Sequence, residues 1–473
     1  MKNNKLYISY SITKYGFVIK INKGRLPIKY PDKIWSKFPI RIKKAMIENF
    51  VFLSTLSMPT VSGSKSIDYD FNSPLLGSFF MKPILFYIPS GAEEYNQDSF
   101  SLLRSLMNTK YYFSKYTVKL SDYSPKAYNN SIILFTFGKD SMLSFALADE
   151  IGLSPHLVFV EEPDWSYKDE SNQTEHMYET YHKINLIKVF SGEFGIPIHR
   201  IKHSLGLARS SDFFGTTAAE LPWGSQLTEY ALLSLPFNHY FKAKYIIYGN
   251  EASCSETYFN KDEMLTYPVF DQSREWTHEI SKLLKLLTKK FSAISLLEPI
   301  HELAITYILH KRYPHYAKYQ MSCFADSNDA KETRWCHNCS KCARIYIFLK
   351  ANGIDPKIVG FKHDMLTKDK KDLYSLFGVS EGRPYDLSGL GKDEQLLAFC
   401  LAYLRGTKGY LIRLFEKDLK QKAKKRFNRL VKEYYGIHPS ITLPNNIRKK
   451  VVNIYDKELR AARKEIRKLW NSQ

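Results

Sequence analysis

The sequence predicts an α/β protein, a parallel sheet with helices on both faces. Three observations predict it. From about residue 128, short apolar, β-rich runs alternate with segments of helical spacing. A Gly-Lys-Asp-Ser turn, 138–141, joins the first such run to the first such helix. Hydrophobic residues make up 44% and aromatics 15% of 473 residues, ample for a core and too apolar for a disordered chain. Scattered Gly and Pro and six Cys exclude collagen-like and small disulfide-stapled classes.

The elements follow in order. SIILFTF, 131–137, reads as a strand. Met142, Leu143, Ala146, Leu147 and Ile151 give 140–151 one apolar helical stripe, which Gly152 ends. Strands follow at 157–160, 198–201 and 245–248. Helices are expected at 175–194, at 227–241 with Pro236 as a kink, and at 275–291. Upstream, 5–11, 15–21 and 84–88 read as strands, and Pro27, Pro31 and Pro39 punctuate the chain. The tail, 411–473, has helical spacing divided by Pro439 and Pro444. Three regions result: an N-terminal α+β region at 1–125, the α/β unit at 126–355, and a mainly helical basic region at 356–473.

The net charge is +21. Residues 1–50 hold 12 Lys/Arg against 2 acids, and residues 411–473 hold 18 against 6, which leaves the middle near neutral. Basic ends suit an anionic partner such as nucleic acid, but they equally describe solvated faces. The neutral middle disfavours a nucleic-acid role for the chemistry. No apolar run reaches the ~20 residues of a membrane helix, and 1–10 lacks an apolar signal core. A soluble cytoplasmic protein is expected. In that reducing setting clustered cysteines favour metal over disulfides.

Two motifs carry chemistry. Thr136-Phe137-Gly138-Lys139-Asp140-Ser141 lies between strand and helix. Backbone N–H groups and the helix dipole there suit a phosphate. Lys139 adds a point charge, Ser141 a hydroxyl, and Asp140 could hold Mg2+ or simply cap the helix. The patterns G-x-x-x-x-G-K-[ST] and G-x-G-x-x-G are absent. The second motif is Cys336-x2-Cys339-x2-Cys342, with Cys323 upstream. Four thiolates at this spacing suit tetrahedral Zn2+ in a closed, structural site. An iron–sulfur cluster is the alternative, and His337 could replace one Cys. Cys254 and Cys400 stand alone.

The loop resembles the PP-loop of ATP pyrophosphatases, a HUP-like α/β fold whose pattern is SGGxDS. Thr136 stands for the Ser and Phe137 for the first Gly, while Gly138, Asp140 and Ser141 match. The cysteines are similar to those of 7-cyano-7-deazaguanine synthases. More of the chain, over about 130–350, resembles the ATP-dependent muramoyl-dipeptide glutamate epimerases. The shared segments are the GKDS loop, Gly249-Asn250-Glu251-Ala252-Ser253, the stretch 295–304 (SLLEPIHELA) and 334–342 (RWCHNCSKC). The resemblance implies ATP, Mg2+ and Zn2+ as cofactors and AMP plus pyrophosphate as products. It further implies a small-molecule carboxylate activated as an acyl-adenylate.

Other candidates occupy strand and helix ends. Asn250 and Glu251 follow the fourth strand of the α/β unit, and Glu251 is the expected general base, with Asp140 and Lys139 as the other catalytic residues. Ser253 and Ser255 are weaker candidates. His301 and Glu302 open a helix after Pro299, where Glu302 could equally serve the dipole. Asp271, Arg274 and Trp276 mark another loop-to-helix junction, and Glu161, Glu162 and Asp164 follow the second strand. Three functions stay open: carboxylate adenylation ending in epimerisation or in an amide or nitrile; tRNA modification using the basic ends; and an inactive nucleotide-binding module, suggested by Phe137.

Overall fold

The computed structural model describes residues 5–116, 122–162, 178–209, 211–216, 224–323, 325, 328–378 and 389–472. Asp164 and the start of the helix expected at 175 lie outside them.

The chain is α/β, a large, mostly parallel sheet flanked by helices. Its strands are β1 Lys5–Thr13, β2 Gly16–Ile21, β3 Gly24–Lys29, β4 Ser66–Asn72, β5 Lys110–Lys115, β6 Tyr128–Leu134, β7 Pro155–Glu161, β8 Ile198–His203 and β9 Ala243–Tyr248. A two-stranded ribbon, β10 Tyr258–Phe259 and β11 Leu265–Thr266, precedes β12 Ser292–Ser295. Ten strands form one sheet in the order β12-β9-β6-β7-β8-β3-β2-β1-β4-β5. The block β12-β9-β6-β7-β8 is parallel throughout. The N-terminal strands join it where β3 pairs antiparallel with β8, over Ile28↔His203 and Lys29↔Lys202.

Period-two alternation divides the sheet's side chains between two cores. Ile133, Leu157, Phe159, Tyr245, Ile247 and Ile294 face one core. Ile132, Val158, Val160, Ile246, Tyr248 and Ala293 face the other. The first face carries helices Lys139–Glu150, Glu179–Phe194, Glu302–Arg312 and Ser340–Ala351. The C-terminal helices Gly389–Leu404, Tyr410–Asp418, Lys420–Tyr434 and Asn445–Asn471 also pack there, through Phe399, Phe427, Tyr455 and others. The second face carries Ile40–Thr55, Gly77–Glu94, Gln226–Phe241 and Arg274–Thr288. Among the described residues no helix is long and apolar enough to cross a membrane.

Three local expectations are corrected. The run 84–88 lies inside helix Gly77–Glu94, where Phe80, Ile84, Tyr87 and Ile88 form one buried stripe at helical spacing. A five-residue apolar run cannot separate a strand from a buried helical face. The strand expected at 131–137 ends at Leu134, because the chain turns at Phe137 (φ 62°). The helix expected to reach 291 stops at Thr288, with Lys289 left-handed at its end, and the short strand β12 follows.

Candidate functional site

The parallel block reverses its direction of growth at β6. From there the chain proceeds to β7 and β8 on one side, then returns to β9 and β12 on the other. Such a switch point opens a crevice at the carboxyl ends of the strands. The 135–138 segment leaves β6 there, and 249–251 leaves β9. Gly249 makes the two approach: a Cβ on it would lie 2.7 Å from the Cβ of Asp140.

The loop is held from several sides. Thr136 N donates to Ser141 Oγ at 3.2 Å, and Ser141 Oγ donates to Gly138 O at 3.1 Å. Lys139 N donates to Ser322 Oγ at 3.3 Å, and Met321 N to Phe137 O at 2.8 Å. Phe137, where the PP-loop pattern has glycine, still takes the left-handed backbone. Its ring is fully buried against Phe135 (centroids 4.8 Å apart) and Phe190 (5.7 Å). Gly138 precedes helix Lys139–Glu150, so Asp140 lies in its first turn.

Five ionisable side chains converge on this helix start. Lys139 Nζ lies 2.7 and 2.8 Å from the two Asp140 oxygens and 3.4 Å from Glu302 Oε2. Arg344 Nε reaches the same Glu302 oxygen at 3.2 Å. Glu302 begins helix Glu302–Arg312, where a carboxylate complements the dipole. Glu251 completes the group, buried, with Ser253 Oγ on Oε1 at 2.5 Å and Ser253 N on Oε2 at 3.1 Å.

Their ionisation is interdependent. Burial pushes the Glu251 carboxyl up to about 7, and the Glu302 charge adds to the push against Lys139. Burial also opposes the Glu302 charge, yet Arg344 and Lys139 outweigh it and hold that carboxyl below its ordinary value. Burial raises Asp140 despite Lys139 beside it. For the Lys139 ammonium, burial is outweighed by Asp140, Glu302 and Glu251, and its pKa rises. The site thus holds fixed cations beside one carboxyl, Glu251, poised to take or give a proton near neutral pH.

Other candidates are architectural. Asp271 accepts from Leu227 N at 2.6 Å and from the Thr228 hydroxyl, capping helix Gln226–Phe241. Trp276 Nε1 donates to Thr228 Oγ1 at 2.7 Å, and Arg274 pairs with Glu275 at 3.1 Å. Asn250 Nδ2 donates to Thr277 Oγ1 at 3.0 Å, and Ser255 Oγ accepts from Arg274 N at 2.9 Å. Glu161 pairs with Arg200. Glu162 accepts from Tyr230 OH at 2.5 Å and contacts His203 Nε2 at 3.1 Å. Burial opposes the Glu162 charge, but His203 and Arg209 hold its carboxyl down at about 2.

The four cysteines come together: one Sγ from each of Cys323, Cys336, Cys339 and Cys342 lies within 4.8 Å of the others. The Cys336–Cys342 separation is 3.8 Å, matching the roughly 3.8 Å edge of a tetrahedron with Zn–S bonds of about 2.3 Å. Backbone N–H groups of Ala325 and Cys336 point at Cys323 Sγ, those of Asn338 and Cys342 at Cys336 and Cys339 Sγ, 3.2–3.4 Å away. The cluster could hold a zinc ion. His337 is not part of it; its Nε2 accepts from Lys362 N at 3.1 Å. Cys254 and Cys400 are free thiols apart from it.

Arg344 and Ser322 were not foreseen. Arg344 lies two residues beyond Cys342, on the helix that the cysteine cluster starts, and no spacing in the sequence marks it. Comparison of the chain with protein-family models gives no match, and comparison with curated proteins gives none. The site is therefore read from its own geometry.

Proposed function

We propose that the chain is an ATP-dependent adenylating enzyme of PP-loop type, activating a small-molecule carboxylate. Epimerisation of a terminal glutamyl group on a peptide-type substrate is the favoured outcome. The carrying observation is the loop 136–141 at the sheet's switch point, with Lys139, Asp140, Glu302 and Arg344 converging on it. The strand order of the parallel block and the four-cysteine cluster lend support.

In this reading a substrate carboxylate oxygen attacks the α phosphorus of ATP. The bond to the bridging oxygen breaks, and pyrophosphate leaves with AMP on the substrate. Mg2+ would neutralise the phosphates, with Asp140 as its protein ligand. Lys139 and the loop N–H groups face the charge that develops on the leaving group. The resulting mixed anhydride with AMP acidifies the neighbouring Cα–H. Glu251, with a pKa near neutrality, is the group to accept that proton; return of a proton to the opposite face inverts the centre, and water then hydrolyses the anhydride to free the product and AMP.

The test is release of AMP and pyrophosphate across a panel of amino-acid and peptide carboxylates. Asp140→Ala should abolish whatever turnover is found. Production of ADP and phosphate instead would overturn the reading. Amide or nitrile formation when ammonia is added would assign the ligase outcome. The tRNA-modifying alternative draws on Arg460, Arg463, Lys464, Arg467 and Lys468, which line one concave surface on helix Asn445–Asn471. Tight tRNA binding lost steeply with salt would favour it, and no binding at low salt would remove it.

A further inference from the structure

Three elements bring two imidazoles and a carboxylate together outside the loop and the cysteine cluster. His301 caps helix Glu302–Arg312. Glu433 lies near the end of helix Lys420–Tyr434, and His438 follows in the next turn. The turn is clamped to the cap, because His438 N donates to Pro299 O at 2.8 Å. Each residue offers one ligand atom, and the three atoms lie within 4.8 Å of one another. Both His301 and His438 present Nε2 to Glu433 Oε1, at 3.5 and 3.9 Å. Ligand atoms on a tetrahedral zinc with bonds of about 2.1 Å stand roughly 3.4 Å apart, so a small contraction suffices. The two rings meet edge to face, centroids 4.7 Å apart at 90°.

The cluster does not satisfy itself. His301 is 2% exposed; its Nε2 faces Glu433, and its Nδ1 has no hydrogen-bond partner among the described residues. The surroundings are rich in carboxylates. Glu256 Oε2, also buried, has no hydrogen-bond partner among the described residues. Burial, together with Glu251, Glu394, Glu433 and Asp393, pushes the Glu256 carboxyl up to about 9. Arg426 and Arg429 are engaged with Asp393.

We propose that His301, Glu433 and His438 form a second metal site, taking a divalent transition ion such as Zn2+ or Co2+. Two imidazoles and one carboxylate are the donor set that borderline ions prefer over Mg2+. The hydrogen bond from His438 Nε2 to the Glu433 carbonyl, 2.9 Å, is the contact the ion would displace. Three protein ligands leave a coordination position open to a water or a ligand oxygen. His301 immediately precedes Glu302, so the ion would sit next to the charge cluster at the loop.

The test is metal content and spectroscopy of the full chain, stripped and reloaded with Co2+. The unaltered protein should bind two equivalents, one giving thiolate-to-cobalt charge-transfer bands from the cysteines. Glu433→Gln and His438→Ala should each bind one, with the thiolate bands retained as evidence of an intact fold. The four-cysteine site has no imidazole, so paramagnetically shifted imidazole N–H resonances from two histidines should appear in the unaltered Co2+ protein. That readout requires no variant. One equivalent in the unaltered protein, two in both variants, or no shifted imidazole signal would overturn the proposal.

Discussion

Replacing Phe137 with glycine, the residue of the PP-loop pattern that the sequence resembles, should loosen the loop. Two effects oppose each other. Glycine relieves the left-handed backbone at φ 62°, worth about 1–2 kcal/mol. It also deletes a fully buried ring packed on Phe135 and Phe190. Loss of a core Phe costs about 3–5 kcal/mol, and glycine adds about 0.5–1 kcal/mol of backbone entropy. The net is a local destabilisation of about 1.5–5 kcal/mol, centred near 3. Native-state hydrogen exchange reads it at the Met321 N–H bonded to Phe137 O and the Met142 N–H bonded to Gly138 O. At tenfold per 1.4 kcal/mol, both amides should exchange about tenfold faster or more in Phe137→Gly. Exchange as slow as in the unaltered chain would refute the argument that the ring, not backbone freedom, holds this turn.

Three further outcomes follow from the charges and the cysteines. Glu302→Gln leaves Lys139 and Arg344 without their shared carboxylate, a cost of about 3–5 kcal/mol, and it removes a charge that raises Glu251. The Glu251 titration followed by carboxyl NMR should move down in pH, and an unmoved midpoint would contradict the coupling. Glu251 holds a proton in the folded chain that the unfolded chain releases between pH 4.5 and about 7. Its contribution to stability is therefore complete below pH 4.5 and is lost as pH rises through 7. Glu251→Gln should gain thermal stability relative to the unaltered chain from pH 5 to 8, and a pH-independent difference would count against the raised pKa. Cys336→Ser should lower zinc content by one equivalent per chain and speed amide exchange around 323–342, whereas unchanged zinc would place the ion elsewhere.

Sequence pattern exposed the parts whose signal is local. The apolar runs of β6, β7 and β9 and the stripe of helix Lys139–Glu150 are readable because each element's period is written in its own residues. The cysteines are readable because metal spacing is short-range. β12, Ser292–Ser295, has four residues, two of them serines, and gives no periodic signal. The charge cluster was half visible. Lys139, Asp140, Glu251 and Glu302 were singled out, but their coupling depends on Gly249 letting two strand ends touch. Asp271 and Asn250 have the residue types and loop positions of site residues, and only their partners, Thr228 and Thr277, show them as framework. Glu433 and His438 come from a tail that looked merely basic; tertiary packing alone carries them to His301.

The junction between β3 and β8 has a thermal character of its own. Among the described residues two paired rungs cross it, with Ser204 N donating to Pro27 O at 3.1 Å beside them. Apolar packing spans it as well: Ile28 and Tyr30 on one side share a core with Ile201, Leu205 and Phe237 on the other, and the Tyr30 and Phe237 rings lie 6.1 Å apart. Apolar cohesion weakens on cooling, while hydrogen-bonded ladders do not depend on it. The ladder among β1, β2 and β3 is continuous over six residue pairs on each side of β2. Cold therefore weakens the apolar share of this junction more than the hydrogen bonds beside it.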